Sequence, residues 1–190
     1  VKKYLNQISE IRSGYLFKSG IRTEPEGSIS VIQLKDVDEQ GNINFSAISK
    51  ISLENISSQD FLMPDDVLFK AKTNRPTAAA VSRKLESTIA TAHYFIIRLN
   101  TVDVLPGYLA WYLNQRPAQI YFSKHAGGTR IQVITKQVLG NLEVVIPAKS
   151  IQEKVEKIYR LHFQERQLVD ALKEKKHELI SAQLMNVIHR

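Results

Sequence analysis

Apolar positions in the first 148 residues come in short runs divided by polar turns; after Ser150 they recur at helical spacing without a break. SISVIQLKDV (28–37) alternates in part and is rich in β-branched residues, which predicts a strand, and EQGNI (39–43) supplies the turn after it. DVLFKAK (66–72) predicts another strand, entered through the Pro64-Asp65-Asp66 corner. HYFIIRL (93–99), dense in aromatic and β-branched residues, predicts a buried strand. In PGYLAWYLNQRPAQIYFSKH (106–125), the positions Leu109, Trp111, Tyr112, Leu113, Ile120, Tyr121 and Phe122 mark a helix in which Pro117 starts a second turn or a kink. IQVIT (131–135) is short and ambiguous, TKQVLGNL (135–142) reads as a capped helical turn, and LEVVIP (142–147) as a strand stopped by proline. Residues 73–92 are polar, rich in small side chains and weakly patterned. They are expected to form a long loop, a kind of segment that often carries function.

Residues 150–190 contain neither Gly nor Pro in 41 positions, and Ser150 with Glu153 forms a capping-box pattern at their start. A 4-3 spacing from Ile151 meets Ile151, Val155, Ile158, His162, Glu165, Val169, Leu172, Lys176, Leu179 and Gln183; six of the ten are apolar, and Leu161, Leu168 and Ile180 widen the stripe. The expectation is one amphipathic helix of about 60 Å, which needs a second helix to cover its stripe in a coiled coil. His162, Glu165 and Lys176 either set register and partner choice or mark imperfect contact. No internal repeat is visible. The expected fold class is α+β: a mixed α/β domain over residues 1–148, then a long helix over 149–190 that pairs with another helix.

Length and composition fit this picture. A chain of 190 residues holds one domain with or without an appendage, and 43% hydrophobic residues allow a real core. The absence of cysteine excludes disulfides and cysteine-ligated metal centres and fits a reducing compartment. No run approaches the roughly 18 apolar residues of a membrane span, and VKKYLNQISE has no signal-peptide pattern, so the expected location is cytoplasmic. Val1 in place of an initiator methionine fits a processed chain or a fragment. The net charge of +7 is unevenly spread. Residues 70–84 carry Lys70, Lys72, Arg75, Arg83 and Lys84 without an acid, and residues 104–142 carry Arg116, Lys124, Arg130 and Lys136, again without Asp or Glu. Such windows point to a surface that meets phosphates, with a generic basic surface as the alternative.

No catalytic constellation accompanies that surface. The histidines (His93, His125, His162, His177, His189) form no HExxH, and neither a GxSxG elbow nor a Walker A loop is present. Gly127-Gly128 lacks the lysine and hydroxyl residue of a phosphate loop. PDDVLFKAK has no acid two residues before either lysine, as a metal-dependent nuclease core would need, and Asn74-Arg75-Pro76-Thr77 is not an amino-methyltransferase motif. The chain therefore reads as a binding module rather than an enzyme, with no catalytic residue, metal or cofactor expected.

Taken in order, the landmarks resemble the specificity subunit of type I restriction–modification systems, in particular one target-recognition domain followed by one spacer helix. They are Gly14, the strand and turn SVIQLKDVDEQGNI, the corner LMPDDVLFKAK, the helix LPGYLAWYLN, and AGGTRIQVITKQVLGNLEVVIP. Two positions depart from the family pattern. Pro64-Asp65 stands where a glycine usually precedes Asp66, and Ala148 replaces a second proline, leaving Gln152 as the remnant of a Glu-Gln pair. The resemblance implies a subunit that does no chemistry, recognises double-stranded DNA, and docks methyltransferase (modification) and restriction subunits. Such subunits usually hold two recognition domains apart by two antiparallel helices and read a split site. One domain and one helix make half of that, and the resemblance implies a homodimer through Ile151, Val155, Ile158, Leu161, Leu168, Val169, Leu172, Leu179 and Ile180.

Under this reading phosphate contacts position the domain and base-edge contacts specify the sequence. Bidentate geometry favours Asn74, Arg75 and Arg130 for bases, and Lys70, Lys72, Lys84 and Lys124 suit phosphates. Lys18, Ser19, Arg22, Arg83, Thr129 and Gln132 complete the candidate DNA-binding set, each with a solvated surface role as the alternative. The glycines of HAGGTR are expected to make a tight turn that lets the backbone approach a duplex. Tyr94, Trp111 and Tyr112 lie in apolar runs and are expected in the core. The competing reading is a non-catalytic scaffold or RNA-binding module acting through the basic face and the long helix.

Overall fold

In chain order the elements of the computed structural model are β1 (Lys2–Tyr4), α1 (Leu5–Ile8), β2 (Ser9–Ser13), β3 (Ile29–Ile32), β4 (Ser49–Ile51), β5 (Val67–Lys70), β6 (Lys72–Thr73), β7 (Ala78–Ala80), β8 (Thr88–Ala90), β9 (Tyr94–Leu99), α2 (Pro106–Leu113), α3 (Arg116–His125), β10 (Gln132–Val133), α4 (Lys136–Gly140), β11 (Glu143–Val145) and α5 (Lys149–Ile188). The described residues are 1–54, 56–73, 75–82, 85–127 and 132–188. They divide into two compact units, Val1–Gln152 and Glu153–Arg190.

The aromatic and β-branched run at 93–99 becomes β9, which pairs antiparallel with β2 on one side and β5 on the other. Strand β7 completes a four-stranded sheet of order β2-β9-β5-β7. A second sheet, β4-β3-β8, contains the parallel β3–β8 pair. Alternation sends Ile32, Leu68, Ala79, Ala90, Tyr94 and Ile96 from the two sheets into one buried cluster. Burial raises the pKa of the Tyr94 phenol, and its hydroxyl donates to the Gln33 carbonyl at 3.0 Å. Helix α2 packs against β5 and β7, and Phe122 of α3 meets Phe69 of β5 with ring centroids 5.0 Å apart.

Local chemistry sets the turns between these strands. Asp66 is fully buried; its carboxylate takes two bonds from the Arg98 guanidinium and one from the Met63 N–H, all at 2.8 Å. The residue before it, Asp65, has φ +70°, the left-handed region that glycine favours and that Asp and Asn tolerate best among other residues. Asp65 thus takes, in this corner, a backbone conformation that glycine would adopt without a Cβ penalty. At Gly14, where the chain leaves the first sheet for the second, a Cβ would lie 2.3 Å from the Thr91 carbonyl oxygen, so no side chain fits.

Several expectations change. The strand expected over 28–37 stops at Ile32, because the Asp36 carboxylate accepts the Gln33 N–H at 2.7 Å and draws Leu34–Asp36 into a 3-10 turn. Residues 73–92 are not one loop, since they contain β7 and β8. The alanines of β7 have weak strand propensity, but their small side chains fit between β5 and α2. The helix expected over 106–125 is two helices broken at Asn114 and Gln115, with Pro117 in the first turn of α3, where its missing N–H costs no bond. Helix α5 begins at Lys149, so Ser150 lies within the first turn rather than capping it. Strands β1 and β2 lie where the pattern of the sequence predicts no strand.

The last strand and the start of α5 are joined to the body by side chains. Tyr108 and Tyr112 hydroxyls donate to the Val145 and Glu143 carbonyls at 2.7 and 3.2 Å. Four helical residues rise about 6 Å and two strand residues about 6.6 Å, so the spacings match. Gln152, fully buried, accepts the Leu105 N–H at 2.9 Å and donates to the Asp103 and Pro147 carbonyls at 2.8 and 2.9 Å. Replacing Gln152 by Ala is expected to lower stability by about 2–4 kcal/mol in urea unfolding, because it strands buried backbone groups and leaves a void; Gln164→Ala, on the exposed part of α5, is expected to stay within about 0.5 kcal/mol.

Candidate nucleic-acid interface

The two acid-free windows meet in space. Strand β6 of the first pairs antiparallel with β10 of the second, Lys72 opposite Val133 and Thr73 opposite Gln132. Gly127 exchanges both backbone bonds with Val133, at 3.1 and 2.9 Å, and Ile134 N–H donates to the Ala71 carbonyl at 2.9 Å. Ala71 and Ile134 are buried, which anchors the ribbon on the body. A pair of two-residue strands is weak alone and depends on this anchoring.

Lys72 and Arg75 are exposed, on β6 and just beyond it, and Lys124 is exposed in the last turn of α3. A cation at a helix C-terminus is favoured by the helix dipole, and Lys124 shares that position with His125. His125 stacks on Tyr121 with ring centroids 4.3 Å apart, and the Tyr121 hydroxyl donates to the Val138 carbonyl of α4 at 2.9 Å. Gln132 contributes its backbone to the ribbon. Lys18, Ser19 and Arg22 are exposed in the connection between β2 and β3 and belong to neither ribbon strand. Asn74, Arg83, Lys84, Thr129 and Arg130 lie outside the described residues.

Lys70 differs from the other candidates. It is half-buried at the end of β5, its ammonium donates to the Val37 carbonyl, and burial lowers its pKa while Asp38 and Glu39 oppose that shift. Tyr94 is fully buried, and Trp111 and Tyr112 are half-buried.

Three side chains not singled out from the sequence hold the residues that follow Arg75. Thr77 hydroxyl donates to the Arg75 carbonyl at 3.0 Å, Gln119 Nε2 donates to the Pro76 carbonyl at 3.0 Å, and Asn114 bonds both backbone groups of Ala78 at 2.8 Å. Of the three, only Asn114 has a sequence signal, the polar break Asn114-Gln115 between two apolar helical runs, and it does not say what Asn114 bonds.

The unit beyond Gln152 is helical as far as Ile188. Ile158, Leu161, Leu168, Val169, Leu172, Leu179 and Ile180 are exposed on it, and so are Leu184, Met185, Val187 and Ile188; Val155 is half-buried. Ile151, in the first turn of α5, is exposed too. His162 Nδ1 lies 3.6 Å from a Glu165 carboxylate oxygen, so two of the polar residues on the stripe face each other. Among the described residues no three His, Asp or Glu gather as metal ligands, and no helix is long and apolar enough to cross a membrane.

No protein-family model matches the sequence, and no curated protein matches it significantly. Solved structures do. The type I restriction–modification S subunit from M. genitalium superposes with a TM-score of 0.57 at 14% identity, over 87% of this chain and 39% of that one. The HsdS subunit from Thermoanaerobacter tengcongensis gives 0.56 at 18% identity, over 92% of this chain and 39% of that one. A chain solved in work on the complex assembly and conformational transition of the type I restriction–modification system gives 0.55 at 18% identity, over 94% and 41%. The likeness agrees with the family resemblance drawn from the order of the sequence motifs, and it extends over well under half of each matched chain. The protein has the mixed α+β fold, with a long C-terminal helix, of type I restriction–modification S subunits.

Proposed function

We propose that the chain is a sequence-specific recognition module for double-stranded DNA, one half of a type I specificity subunit in extent. Residues 1–148 form its recognition domain and residues 149–190 its spacer and pairing helix. The observation that carries this reading is the likeness of fold to S subunits across 87% to 94% of the chain. The ribbon that joins two acid-free windows supports it, because it gathers exposed cations on one pair of strands and the segments next to them. Lys72, Lys84 and Lys124 contact phosphates; Asn74, Arg75 and Arg130 read base edges; Thr129, Gln132, Arg83, Lys18, Ser19 and Arg22 complete the DNA-binding set. Methyltransferase and restriction subunits are the partners. Two copies packed through α5 restore two recognition domains and read a palindromic split site.

Titrating random-sequence duplex DNA at increasing salt tests the reading. Affinity is expected to fall steeply between about 50 and 200 mM salt, as counterion release requires. Absence of duplex binding at about 50 mM salt, with and without a methyltransferase subunit, favours the scaffold instead. Lys72→Met or Lys124→Met is expected to reduce the salt slope by about one each. Lys70→Met is expected to keep the slope and lower stability by about 1 kcal/mol, because its ammonium serves the Val37 carbonyl.

Specificity gives a second check. Arg130→Ala is expected to cost about 1–3 kcal/mol on the target and to relax selection at one base position only; a uniform loss with a shallower salt slope makes Arg130 a phosphate contact. The pairing helix gives a third. Light scattering at micromolar concentration is expected to report a dimer, and a monomer with no partner present overturns the two-fold arrangement.

A further inference from the structure

Strand β7 is the outer strand of the four-stranded sheet, so one side of it pairs with β5 and the other, among the described residues, has no strand beside it. Successive residues of an antiparallel strand direct their N–H and C=O groups toward and away from the partner in turn. Thr77 is directed inward, its carbonyl accepting the Lys70 N–H at 2.8 Å. Ala78 is directed outward. There Asn114 Oδ1 accepts the Ala78 N–H and Asn114 Nδ2 donates to the Ala78 carbonyl, both at 2.8 Å. One carboxamide thus supplies the donor and the acceptor that a further strand would supply.

The hold extends back toward Arg75. Gln119 Nε2 bridges the Pro76 and Leu113 carbonyls at 3.0 and 2.8 Å, which ties the segment to the end of α2. The Thr77 hydroxyl, buried, takes the Arg75 carbonyl. Pro76 brings a fixed φ and no N–H to satisfy. Gly41, at φ +85° in the turn after β3, comes so close that a Cβ would lie 2.1 Å from the Ala78 carbonyl oxygen and 2.9 Å from Asn114 Nδ2, so the turn closes over the clamp. An edge that needs only protection from pairing is blunted by charge, proline or short length. Here three side chains bond the backbone of Arg75, Pro76 and Ala78, and the side chain of Arg75 is exposed.

We infer that Asn114, Gln119 and Thr77 are positioning residues for DNA recognition, holding the segment from Arg75 to Ala78 so that the Arg75 side chain meets the duplex from a preset anchor. The inference rests on the DNA-recognition reading above. Its physical basis is that a segment ordered before binding loses less conformational freedom on binding.

The test uses the full chain, duplexes enriched by selection from a randomised pool, and the unselected pool as control. Asn114→Ala is expected to weaken binding to the enriched duplex about tenfold and to change binding to the pool by less than about twofold, since phosphate contacts elsewhere persist. The same substitution is then made with Arg75→Ala. If the clamp acts through Arg75, Asn114→Ala changes affinity by less than about twofold in that background. Equal losses in both backgrounds mean a structural edge cap and overturn the inference alone. Gln119→Leu carries the same cycle should Asn114→Ala melt below the assay temperature. Pool binding without enrichment also overturns the inference, whereas wild-type protein that binds neither pool nor selected duplex overturns the DNA reading itself.

Discussion

Asp66 buries its carboxylate completely, and a charge in that position has to be matched in place. The Arg98 fork and the Met63 N–H do so, which ties the corner before β5 to the middle strand β9. The hydrogen bond to Asp66 raises the pKa of the Arg98 guanidinium. Arg12, half-buried near the same pair, donates to the Phe61 carbonyl, and its pKa is lowered first by burial and then by Arg98. Because Asp66 can meet Arg98 in one register only, Val67 stands opposite Ile97 and Phe69 opposite Phe95. A slip by one residue would exchange the two faces of the strand. Everything built on β5, from β7 and its outer edge to the segment entering β6, inherits that register.

A second constraint is that backbone groups removed from water need partners, and here carboxamides supply many of them. Gln152 serves Asp103, Leu105 and Pro147 where the last body strand gives way to α5; Asn114 and Gln119 serve Ala78, Pro76 and Leu113. A carboxamide can donate and accept at once, so a single residue can stand in for part of a missing strand or turn. The three bonds of the Gln152 side chain all reach inward, to backbone groups of the body.

Charge divides along the same lines. Lys70 and Lys72 are two residues apart, yet one ammonium is committed to the Val37 carbonyl and the other is free to face solvent. The difference follows from the strand geometry around them: Lys70 ends a strand inside the larger sheet, and Lys72 begins a two-residue ribbon outside it. Basic windows alone do not separate such neighbours.

Much of the architecture was legible in the chain. The buried strand at 93–99, the strand after Asp66, the turn at 39–43, the capped turn at Thr135 and the long helix were each readable because periodicity, turn residues and caps act locally. The strands at 78–80 and 88–90 and those at the N-terminus were not, because alanine and polar residues form strands there only through partners distant in sequence. The candidate site divides the same way. The sequence by itself determined which cations are available and that the windows around them lack acids; tertiary structure alone decided that the two windows become one ribbon, that Lys70 turns inward, and that Asn114 and Gln119 hold the segment after Arg75. Those outcomes depend on hydrogen bonds and strand pairing between residues at least 33 positions apart, for which local spacing carries no signal.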